Sequence, residues 1–246
     1  MSGSAMWLIA CHPGDEAALW VARGLRSRGL DPVEVVSAES LACSTAIEHR
    51  LGAGEPSVRI EVADGRTISS DRVRGMLNRI VHPPMGHLAV SHEEEREYAM
   101  QEVSALFLSW LTAMPGPVLN RPVPFALSGP SLDSLQWHAL AARAGLPVPA
   151  VRVPDDQNGH GARWVIPDCN VVVACGAVFG AAPPGAASEA CLRLAELSGA
   201  DVLGVELHLN GGGEWRFAGA HPMPDLRVGG EELVDHLAAE LTARAA

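Results

Sequence analysis

The 246-residue chain contains no lysine: all 18 of its basic side chains are arginine. Chemistry that needs a side-chain amine is therefore excluded. Positive charge is scarce overall, since 29 acidic residues leave a net charge of −11. The arginines are scattered and form no stripe, so the basic face that neutralises nucleic-acid phosphates is missing and no nucleic-acid partner is expected. Cysteine is sparse as well. Cys11, Cys43, Cys169, Cys175 and Cys191 are odd in number and show no C-x-x-C spacing, which predicts buried free thiols. Long apolar runs are also lacking. Met6–Cys11 is too short to span a bilayer, and the first 25 residues carry no basic n-region; this predicts a cytoplasmic protein with no membrane partner.

Apolar residues make up 48% of the chain and charged residues 19%, which is enough apolar matter for a packed core and too little charge for disorder. Met6–Cys11 reads as a buried parallel strand. Ala17, Ala18, Val21, Ala22 and Leu25 then share one face of a helix over 15–28, which Gly29 stops. "DPVEVV" follows as a second strand. A β-α-β opening implies a right-handed crossover and a parallel sheet.

Farther on, Val58, Ile60 and Val62 alternate before a turn at Asp64-Gly65. Residues 74–81 form another strand, and 91–114 a long amphipathic helix using Met100, Val103, Leu106, Phe107, Trp110 and Leu111. "PVLNRP" is a short strand and turn, and 131–144 is a helix closed by Gly145. The Asp-, Gly- and Pro-rich stretch 154–168 reads as a loop or short hairpin. The pattern ends with a strand over 170–174, a helix over 186–198, a hairpin turning at "NGGGE" and a closing helix over 231–243. The order is α/β first and α+β afterwards, with the change near 125–150.

"HPGDE", residues 12–16, lies at the carboxyl end of the first strand, the edge where open α/β sheets hold ligands. It resembles the zinc motif of the LmbE/PIG-L deacetylases, a strand followed by His-Pro-Asp-Asp-Glu. That resemblance implies His12 and Asp15 as metal ligands in a zinc-dependent hydrolase. The general-base position is Gly14, however, which has no carboxylate. The other reading is a turn into the helix, with Asp15 or Glu16 in the first turn, where the helix dipole favours an acid.

Three longer stretches resemble the ATP-grasp superfamily. "VLNRPVPFALSGPSLDSLQWHALAARAGLPVPAV" is similar to the junction between the pre-ATP-grasp domain and the ATP-binding half. "CNVVVACGAVFGAAPPGAASEACLRLAELSGADVLGVELHLNGGGEWRFAGAHPMPDL" is similar to the end of the fold. "SSDRVRGMLNRIVHPP" with "EREYAMQEVSALFLSWL" is similar to the middle of the pre-ATP-grasp domain of peptide ligases. The resemblance implies a pre-ATP-grasp-like α/β domain over 1–125, built on a parallel sheet, and a reduced α+β ATP-grasp-like domain over 126–246.

The family joins a carboxylate to an amine at the cost of Mg-ATP, using lysines on the nucleotide, a glycine-containing lid, and an acid plus an E-x-N pair on magnesium. Here no lysine exists, and "RWVIPD" puts Ile166 at a lysine position. The stretch from Val151 to Glu206 is short for a lid. Glu206 matches the acid, but the E-x-N pair falls on Gly219 and His221. The departures predict a catalytically degenerate accessory or binding subunit with no cofactor, ATP and magnesium being disfavoured. An atypical active ligase is the rival.

Asn78-Arg79 and Asn120-Arg121 each follow an apolar strand. In the resembling family these loops face the acceptor-substrate cleft, which makes Arg79, Asn120 and Arg121 candidates for a carboxylate or phosphate clamp, with His12 and Asp15 beside them. The plainer reading is that each Asn shapes a turn and each Arg pairs locally. His82, His87 and His92 read as loop histidines. Glu206, His208 and His221 form a candidate metal site across a hairpin. A small anionic ligand or a peptide is the expected guest. A homodimer or a complex with a biosynthetic enzyme is the expected assembly, because a halved domain leaves sheet surface to cover.

Overall fold

The computed structural model describes residues 5–52, 56–86, 88, 92–149, 167–181, 183 and 185–246. It divides into two compact units, one formed by 1–130 with 231–246 and the other by 131–230. The stretch 154–166, Ile166 included, lies outside the described residues, as does His87.

The first unit is built on a four-stranded parallel sheet. Its strands are β1 (Met6–Cys11), β2 (Val33–Ser37), β6 (Val73–Asn78) and β7 (Val118–Leu119), in the order β2-β1-β6-β7. All six residues of β1 are buried, as a central strand covered on both faces requires. The helix α1 (Glu16–Ser27) buries Ala17, Ala18, Val21, Ala22 and Leu25, the face its spacing predicts. Asp15 caps it by accepting from the Ala18 N–H at 2.9 Å. A short helix α2 (Ala38–Ala42) follows β2, capped by Ser37.

A separate antiparallel sheet then forms from β3 (Ala46–Arg50), β4 (Ser57–Glu61) and β5 (Thr67–Ser69), in that order. Val58, Ile60 and Ile68 point into a core shared with Met6, Leu8 and Ala10 of β1. The long helix α3 (Glu93–Thr112) contributes Phe107, Trp110 and Leu111 to the same core. Met100, expected on that apolar face, is exposed. The last helix, α6 (Gly230–Arg244), buries Leu233, Val234, Leu237 and Leu241. It meets α1 through Arg28, which bonds the carboxylates of Glu231 at 2.8 Å and Asp235 at 2.5 Å.

In the second unit, α4 (Ser134–Ala144) starts with a capping box between Asp133 and Gln136 and stops at left-handed Gly145, as a C′ glycine allows. An antiparallel sheet orders β11 (Trp215–His221), β10 (Val202–Leu209), β8 (Cys169–Ala174) and β9 (Ala177–Gly180). Val171, Val173, Leu203, Val205 and Leu207 pack on α4 and on α5 (Ala186–Ser198). Each such side chain contributes roughly 1.5–3 kcal/mol on leaving water. On the opposite face the segment 222–229 lies close. A Cβ added to Gly204 would meet Pro224 at 3.0 Å, and one added to Gly180 would meet Val228 at 2.9 Å.

Candidate functional site

The carboxyl ends of β1, β6 and β7 bring together residues that are far apart in the chain. Asn78 ends β6 fully buried. Its Nδ2 donates to the carbonyl of Asn120 at 2.9 Å and also to that of Leu127. Its Oδ1 accepts from the Ile80 N–H at 3.2 Å. Ser128 donates to the Asn78 carbonyl at 3.1 Å. Asn120 itself takes a left-handed backbone, φ 58°, which asparagine tolerates better than most residues. The two Asn residues thus lock the β6 and β7 termini together.

Arg79 follows in the same loop and turns toward α1. Its Nε donates to Asp15 Oδ2 at 2.7 Å and its Nη2 to Asp15 Oδ1 at 3.2 Å. The side chains are 5% and 9% exposed, so water screens the pair little. Asp15 therefore serves α1 as cap and Arg79 as counter-ion at once. A zinc ion at Asp15 would compete with both roles. Arg121 is committed elsewhere. It donates to the carbonyls of Thr112 at 3.1 Å, Met114 at 3.3 Å and Gly116 at 2.8 Å, closing the C-terminal end of α3, where a cation complements the helix dipole. The two guanidiniums are thus held in separate networks.

His12 sits beside the Arg79–Asp15 pair. Its Nε2 accepts from the Val81 N–H at 3.2 Å, which requires that nitrogen to be unprotonated. Its Nδ1 lies 4.0 Å from Glu39, and its ring lies against that of His82, centroids 4.5 Å apart. Burial, and then the neighbouring His82, hold the His12 pKa below its ordinary 6.5. Cys11, directly before it, is pushed up to about 11, first by burial and then by Asp15; a thiol so placed is a poor nucleophile near neutrality. Glu39 was not singled out from the sequence, and His82 was read there only as a loop histidine. Only the strand register brings them to His12.

The β10–β11 hairpin carries the candidate metal residues. The register sets Gly204 opposite His221 and Glu206 opposite Gly219, with a bulge after Glu206. Glu206 and His221 approach to 3.8 Å. His208 instead pairs with Asp168, so the three are not assembled around one point. Among the described residues no group of three His, Cys, Asp or Glu is placed to hold a metal. A Cβ on Gly219 would meet Glu206 Oε2 at 2.7 Å; the carboxylate occupies the space that a longer side chain there would need. One carboxylate, a glycine and a histidine do not fit magnesium, which wants several oxygen ligands in octahedral array.

No family model and no curated protein matches the sequence. Solved structures do match the fold. ATP-grasp ligase PsnB, complexed with precursor peptide PsnA2 and AMPPNP, superposes with a TM-score of 0.71 at 19% identity, covering 100% of this chain and 99% of that one. Macrocyclase MdnC from Microcystis aeruginosa MRC, bound with precursor peptide MdnA, gives 0.72 at 11% identity, covering 97% and 99%. Macrocyclase MdnB from the same organism gives 0.66 at 17%, covering 96% and 98%. The chain therefore has an ATP-grasp-like fold over nearly its whole length, a mixed α/β architecture with one parallel and two antiparallel sheets among the described residues. No helix among the described residues is long and apolar enough to cross a membrane.

Proposed function

We propose that this protein is a catalytically degenerate ATP-grasp-like subunit that binds a peptide and acts beside an active ligase. The absence of lysine from all 246 positions carries the reading, because the fold's usual chemistry grips the nucleotide with lysine amines. The hairpin supports it: Glu206 stands over Gly219 and leans on His221, a donor set that suits magnesium poorly. The loops at the sheet edge support it too, since Asp15, Arg79, Asn78 and Arg121 satisfy one another or the backbone. In this reading the pre-ATP-grasp-like domain is 1–125 and the reduced ATP-grasp-like domain 126–246. The peptide guest is drawn from the solved structures, two of which are complexes with precursor peptides. The partner is an active ligase or a second copy of the chain.

Calorimetry with Mg-ATP on the full-length protein tests the reading, together with a pull-down from the native host. No saturable heat with nucleotide, and recovery of a peptide together with an intact ATP-grasp enzyme, is the expected result. Tight, magnesium-dependent ATP binding would establish the rival, an atypical ligase using arginine for phosphate.

A further inference from the structure

We draw no further inference here: the strongest candidate, the cleft of about 200 Å³ between β2 and β5 lined by Glu34, Arg66, Thr67 and Arg72, carries nothing, because the Arg66 guanidinium is already held by Asp64 and Glu34 and nothing in the structure shows what would fill it.

Discussion

Arg79 and Asp15 stand 64 positions apart in sequence and form a two-pronged ion pair in the interior of the first unit, Nε to Oδ2 at 2.7 Å and Nη2 to Oδ1 at 3.2 Å. The same carboxylate caps α1. The pair therefore ties the end of β6 to the start of the first helix. Burying two charges is expensive, and removing one partner leaves the other uncompensated. Arg79→Ala is expected to lower the unfolding free energy by about 3–5 kcal/mol. Replacing both Arg79 and Asp15 by apolar residues of similar size should cost less than the sum of the two single changes. Urea unfolding of the double-mutant cycle measures this, and strict additivity would refute the coupling.

His12 gives the first unit a pH dependence of defined sign. Its folded pKa lies below its ordinary 6.5, held there first by burial and then by His82, against the opposing pull of Glu39 and Asp15. The unfolded chain consequently binds more protons than the folded one between those two values. Stability then rises with pH through that window and falls as pH drops below 6.5. Above 6.5 this residue contributes no slope. His12→Gln, which can still accept from the Val81 N–H, should flatten the stability profile below pH 6.5 and leave it unchanged at pH 8. A profile of equal slope in wild type and variant would remove His12 as its source.

Much of this architecture was legible in the residues because local signals agreed with the global fold. The apolar run of β1, the one-sided apolar spacing of α1 and the glycine after α4 each named their element, and α5 and β10 fell on the stretches expected. Two strands were not legible, for separate reasons. β3 carries one large apolar residue among charged and small ones, and only pairing with β4 makes it a strand. β9 follows a turn at Cys175-Gly176, both at positive φ, 45° and 83°; cysteine stands where asparagine usually announces such a hairpin. At the candidate site, His12, Asp15 and Arg79 were named from sequence, and the turn into α1 with an acid at its start was read there, but the pairing of Arg79 with Asp15 was not. Arg79 turns inward to Asp15 because the strand order β2-β1-β6 sets the ends of β1 and β6 side by side, a relation no local pattern encodes. His82 reaches His12 for the same reason.

The cysteines separate by burial, and their reactivity should follow. Burial pushes the Cys191 thiol up to about 12, and Cys11 up to about 11, so neither is a thiolate near neutral pH. Cys43 is exposed. Because only the thiolate attacks an alkylating reagent, iodoacetamide at pH 8 should label Cys43 well before Cys11 or Cys191 in the native protein, while all become reactive in urea. Peptide mapping by mass spectrometry reads the order. Prompt native labelling of Cys11 would show that the end of β1 is open to solvent.

Gly24 sets how closely α6 approaches α1. A Cβ at that position would lie 2.7 Å from Val234 Cγ1 and 3.3 Å from its Cγ2. Val234 is fully buried, and its branched side chain has essentially one comfortable rotamer in a helix, so it cannot turn aside. Two effects oppose each other in Gly24→Ala. Alanine improves helix propensity by about 0.8–1 kcal/mol, while overpacking a filled interior costs roughly 1–3 kcal/mol. The clash is with a buried, rigid neighbour, so overpacking should win, for a net loss of about 1 kcal/mol. Trimming the neighbour reverses the balance: Val234→Ala leaves a hole in the wild type, but in the Gly24→Ala protein the new methyl partly fills it. Thermal unfolding of the four proteins should therefore show Val234→Ala costing clearly less in the Gly24→Ala background. Equal costs in both backgrounds would mean that α6 shifts to accommodate the methyl, and that the contact does not fix its position.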